Sequence, residues 1–130
     1  MKYILICHPR FDLNERRGWS RQIYVRDLLG QTQSQFELMC SAIDEDVLGD
    51  DGFWDDVFAK IESREADCLD LDGNAWVIYV TSEKVWFEGL YSQGEGGEVT
   101  YSQFKIAVKA YVQFLSDPER KRIEIEFPDA

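Results

Sequence analysis

The sequence predicts a single α+β domain over residues 1–130, a mainly antiparallel sheet with two or three helices packed against it. Three observations lead there. A chain of 130 residues suits one domain and suffices to bury one core. Residues 68–91 hold short runs rich in β-branched and aromatic side chains, separated by turn-forming residues. Residues 100–116 carry apolar side chains at helical intervals, and Pro118 stops that helix.

In chain order, residues 2–8 (KYILICH) form a near-continuous apolar run, the pattern of a central strand, and Pro9 ends it. Residues 11–20 read as a polar loop. Arg10, Arg16, Arg17 and Arg21 lie near Trp19, which suits either a phosphate or RNA contact or a solvated loop paired to nearby acids. Residues 20–29 allow two readings. One is a helix capped by Ser20, with Tyr24, Val25, Leu28 and Leu29 on one face and Gly30 at its end. The other is a short strand from Ile23 to Val25. Ser34 and Glu37 have the spacing of a capping box, after which Phe36, Met39, Cys40, Ile43 and Val47 recur at helical intervals. Strand alternation through Phe36, Leu38 and Cys40 is open as well. Asp44, Glu45 and Asp46 at the end of such a helix would oppose its dipole.

Asp51 or Gly52 can cap the next helix, which runs to about Arg64. Its apolar face is Phe53 or Trp54, then Val57, Phe58 and Ile61. Adjacent helical residues point about 100° apart, so one of the two aromatics belongs to the core. Asp55 and Asp56 then fall in the first turn, where the helix dipole favours negative charge. Asp72, Gly73 and Asn74 signal a tight turn, because Gly and Asn tolerate positive φ. Residues 75–81 (AWVIYVT) read as a buried strand and 84–91 (KVWFEGLY) as another, with Ser82 and Glu83 between them. Gly94, Glu95, Gly96 and Gly97 read as a mobile connection. Thr100 can cap the last helix, whose stripe is Phe104, Val108, Tyr111, Val112 and Leu115. Residues 121–127 (KRIEIEF) alternate polar and apolar, as a half-buried final strand does.

The net charge is −11, and its distribution is uneven. Residues 1–40 hold six Lys/Arg and four Asp/Glu, residues 41–98 three against sixteen, and residues 99–130 five of each. Nearly all the negative charge is therefore in the middle of the chain. Such a molecule repels nucleic acid and anionic lipid, so neither a nucleic acid nor a membrane is an expected partner. A basic protein is. Eight Phe, six Tyr and four Trp exceed the needs of a small core, so some are expected at a contact surface. No apolar run approaches the ~20 residues that cross a bilayer, and no signal peptide is expected. Cys7, Cys40 and Cys68 are widely spaced with no C-x-x-C, which predicts free thiols and a cytoplasmic location.

Catalytic equipment is thin. His8 is the only histidine and ends an apolar strand, so any Ser-His-Asp or Cys-His site would depend on it. Residues 70–74 resemble a calcium loop only at Gly73, with Cys68 and Tyr79 where acids are needed. The glycines at 94–97 lack the Gly-Lys-Ser/Thr ending of a phosphate loop, and Glu95 and Glu98 would repel phosphate. No catalytic residue, cofactor-binding residue or metal ligand is predicted, and an enzyme is not expected. The predicted partner-binding residues are Asp44, Glu45, Asp46, Asp50, Asp51, Phe53, Trp54, Asp55 and Asp56, seven acids interrupted by two aromatic anchors.

Residues 70–115 resemble small bacterial immunity proteins of polymorphic toxin systems, including contact-dependent growth inhibition. The resemblance is carried by Gly73 and Asn74 in a hairpin, a strand through Trp76, Ile78 and Tyr79, and a second through Val85 and Phe87. A glycine- and acid-rich loop and a helix with Phe104, Tyr111, Phe114 and Leu115 follow. Tyr111 stands where such families often have Trp. The resemblance spans about a third of the chain and implies an inhibitor of a basic toxin domain, often a nuclease, without cofactor. Two other readings stay open: an acidic adaptor for another basic protein, and a small hydrolase using carboxylates and a metal.

Overall fold

The computed structural model describes residues 2–9, 22–49 and 52–130. The arginines at 10, 16, 17 and 21, Trp19, Asp50 and Asp51 lie outside the described residues. Within them run strands β1 (Tyr3–Cys7) and β2 (Ile23–Asp27), helices α1 (Glu37–Asp46) and α2 (Phe53–Glu62), and strands β3 (Cys68–Asp72), β4 (Trp76–Thr81), β5 (Lys84–Gly89) and β6 (Glu95–Thr100). Helix α3 (Tyr101–Ser116) and strand β7 (Ile123–Phe127) complete the α+β domain.

The strands form two antiparallel sheets, β2-β1-β7 and β3-β4-β5-β6. The first gathers strands from both ends of the chain. β1 is its middle strand, and Leu5, Ile6 and Cys7 are fully buried, as an apolar run demands. Burial raises the Cys7 thiol to about 12, because a thiolate there would be stripped of water. The second sheet is a meander whose inner face presents Trp76, Ile78, Val80, Val85 and Phe87. α1 and α3 each contact strands of both sheets, so one continuous core lies between all the layers.

Pairing decides the ambiguous segments. Residues 23–27 are a strand, aligned on β1 with Val25 opposite Leu5 and Ile23 opposite Cys7. Leu28 and Leu29, which the helical alternative would have buried, are exposed. The helical reading of 36–47 holds, but its capping box does not. Ser34–Phe36 form a 3-10 turn, and Phe36 begins α1 with no side-chain cap. α2 starts after Gly52, whose φ of 81° suits glycine, and buries Val57, Phe58 and Ile61. α3 has the expected cap in full: Gln103 N–H donates to Thr100 Oγ1, and Thr100 N–H donates to Gln103 Oε1.

From Glu95 onward the glycine run is a strand and not the mobile connection that its composition suggested. β6 pairs with β5, Glu95 opposite Glu88 and Gly96 opposite Phe87, with a bulge before Val99 meets Val85. Gly97 answers to packing, whereas Gly96, with φ of +97°, has open space around it. A Cβ on Gly97 would lie 2.7 Å from the Cβ of Leu38 on α1, and φ there is +60°. The missing side chain at Gly97 lets α1 lie directly on the strand.

Candidate functional site

Of the nine residues of the acidic centre, seven are among the described residues, and two of these, Asp44 and Asp46, are engaged with the fold itself. Asp46 closes the last turn of α1, and its carboxylate points across to the β3–β4 turn. Oδ1 accepts the N–H groups of Asn74 (3.0 Å) and Ala75 (3.1 Å), and Oδ2 accepts that of Trp76 (2.9 Å). This contact also explains Gly73. Neither Gly73 nor Asn74 has positive φ, so the expected reason for glycine is replaced by another. A Cβ on Gly73 would lie 2.2 Å from Asp46 Oδ2. Asp44 is similarly engaged. Its Oδ1 accepts the hydroxyl of Tyr111 (3.0 Å) and the N–H of Gln22 (3.1 Å), while Gln22 Nε2 donates to the Tyr111 hydroxyl (3.1 Å). Burial, then the Asp44 charge, holds the Tyr111 phenol well above its usual range. These bonds outweigh the unfavourable helix dipole at the end of α1.

Phe53 and Trp54 stand at the seam where α1 ends and α2 begins, beside residues of β3 and β4. A hollow of 170 Å³ is lined there by Leu48, Phe53, Trp54, Leu71, Asp72 and Ile78, among others. Trp54 turns inward, its ring 5.5 Å from that of Phe104 in an edge-to-face contact. Phe53 stays 43% exposed and Leu48 76% exposed, large apolar side chains at the mouth of the hollow. Glu45, Asp55 and Asp56 are exposed nearby in sequence, and Asp55 lies 3.7 Å from Lys109 across the α2–α3 groove. Asp50 and Asp51 lie outside the described residues.

A second surface was not singled out in the sequence. On the outer face of the four-stranded sheet, Tyr79 and Trp86 stack with ring centroids 5.4 Å apart and planes within 9°. Asp70 is the cross-strand neighbour of Tyr79. The Tyr79 hydroxyl donates to Glu88 Oε1 (2.7 Å). That bond, then desolvation and the charges of Glu88, Asp70 and Asp72, raise the Tyr79 phenol to about 12. The signal was the alternation within KVWFEG, which sends Lys84, Trp86 and Glu88 to one side.

His8 is fully buried at the end of β1, its Nδ1 2.9 Å from the Pro9 carbonyl and its ring edge-on to Tyr24. Among the described residues, no group of three or more His, Cys, Asp or Glu is placed to hold a metal ion. Cys7 and Cys40 are buried free thiols and Cys68 an exposed one. No helix among the described residues is long and apolar enough to cross a membrane. No family model, curated protein or solved structure matches the chain.

Proposed function

We propose that this chain is an immunity-type protein that neutralises a cationic toxin domain, a nuclease by preference, through direct protein–protein binding in the cytoplasm. The observation that carries the reading is the seam. Phe53 and Leu48 are exposed over a hollow of mixed lining that includes Leu71, Ile78 and Asp72, with Asp55 and Asp56 on the adjoining helix turn. A large aromatic at the mouth of a hollow is the form a binding anchor takes. Carboxylates around it match a cleft built to hold phosphates, and opposite potentials speed encounter. The free thiols support a reducing compartment.

Two kinds of substitution test it. The partner is first recovered by affinity capture from the source cell and identified. Asp50→Lys with Asp51→Lys, or Asp55→Lys with Asp56→Lys, is then expected to slow association about tenfold at low salt and to flatten its salt dependence. Phe53→Ala is expected to speed dissociation about thirtyfold, with little effect on association. Association rates independent of salt in the parent chain would end the electrostatic part of this reading. Capture of a basic protein with no toxic activity would favour the adaptor instead.

A further inference from the structure

The outer face of the four-stranded sheet carries charge that no Lys or Arg among the described residues neutralises. Register places Asp72, Val77, Glu88 and Glu95 in one row across β3, β4, β5 and β6. Glu88 and Glu95 are direct cross-strand partners, an arrangement that costs stability because like charges stand opposite each other. No Lys or Arg among the described residues lies within ion-pair distance of Asp70, Asp72, Glu88 or Glu95. Beside this row lies the Tyr79–Trp86 stack. A hollow of 330 Å³ opens between the two features, lined by Tyr79, Trp86, Phe87, Glu88, Glu95 and Gly96. The stack already attracts a cation from within the chain: Lys84 Nζ sits 5.5 Å from the Trp86 ring centre while pairing with Glu98 at 3.3 Å.

We propose that this hollow is a docking site for an arginine side chain of a basic protein partner, its guanidinium stacked on the Tyr79–Trp86 rings and paired with Glu88 and Glu95. The chemistry favours arginine over lysine. A planar guanidinium can stack on an aromatic face and fork onto carboxylates at once, whereas an ammonium is a compact and strongly hydrated point charge. The negative row repels nucleic acid and anionic lipid, which leaves a cationic protein surface as the occupant. The site goes beyond the seam at α2. Asp72 lines the seam hollow and also begins the cross-strand row that ends at Glu88 and Glu95, so a single basic partner can reach from one to the other around the β3 edge.

The test uses the whole chain and a blocked peptide, acetyl-Gly-Arg-Gly-Arg-Gly-amide, beside its lysine counterpart, at low salt. Binding is followed by NMR through the Trp86 indole N–H, assigned with Trp86→Phe. The arginine peptide is expected to shift that signal and to bind at least about fivefold more tightly than the lysine peptide. Glu88→Gln with Glu95→Gln is expected to weaken it at least about fivefold, and Glu95→Gln alone, which keeps the Tyr79–Glu88 hydrogen bond, to raise the melting temperature by about 2 °C, since the opposed charges are gone. Phe53→Ala leaves peptide binding unchanged. Equal binding of the two peptides, unchanged binding in the double glutamine variant, a lowered melting temperature in Glu95→Gln, or shifts confined to the α2 seam would each overturn the proposal. Because no toxin enters the experiment, its failure leaves the immunity reading standing, and a failed toxin capture leaves this site standing.

Discussion

The end of α1 and the outer sheet face use the same residue types in opposite ways. At the end of α1, Asp44 and Asp46 turn inward and accept hydrogen bonds from Tyr111, Gln22 and the β3–β4 turn. On the sheet, Asp72, Glu88 and Glu95 share one face with no cation from the described chain beside them. The first set is bound into the architecture, and the second leaves a field for something outside it. Total charge separates neither from the other. What separates them is how the donors fall: Asp46 accepts three backbone N–H groups, whereas Glu88 accepts the Tyr79 hydroxyl but stands opposite Glu95, a like charge that works against the fold.

The contrast can be broken most severely at Asp46. Asp46→Ala removes a charged acceptor of three backbone N–H groups and is expected to cost about 3 kcal/mol in denaturant unfolding. Gly73→Ala should cost nearly as much alone, since its Cβ evicts the Asp46 carboxylate. In the Asp46→Ala background it should cost under about 0.5 kcal/mol, a coupling read directly from the double-mutant cycle. Full additivity would mean that the 2.2 Å approach is relieved in some other way. Tyr111→Phe comes next. It leaves Asp44 without its hydroxyl donor and Gln22 Nε2 without its acceptor, and about 1–3 kcal/mol of stability should be lost.

The smallest effect belongs to the sheet face and is a matter of pH. The Tyr79 phenol is raised from 10.0 to about 12 in the folded chain, first by its hydrogen bond to Glu88. The folded state thus retains this proton longer than the unfolded chain does. Its contribution is fully present below pH 10 and is lost as pH rises through about 12. Melting temperature should therefore fall less steeply between those two values in Tyr79→Phe than in the parent. Spectrophotometric titration of Glu88→Gln should return one phenol toward its ordinary range.

Much of the architecture was readable before any coordinates. The meander at residues 68–91, the capped final helix and the two outer strands of the chain follow from local patterns that tertiary contacts reinforce. Residues 20–29 were not readable, because both a helix face and a strand use the same apolar residues, and only the pairing with β1 chooses between them. The seam aromatics were legible as a pair, with one inside and one outside. Which one was decided by the proximity of Phe104 to Trp54.

By itself, then, the amino-acid order determined the α+β class, the absence of a bilayer-length apolar run and the concentration of acid between residues 41 and 98. Composition and periodicity are properties of a line, and those features are linear. Tertiary structure alone decided that Gly96 and Gly97 lie in a strand, that Gly73 makes room for Asp46, and that Glu88 faces Glu95. Each depends on how close two distant stretches come, and burial, hydrogen-bond satisfaction and charge repulsion are all set by that distance.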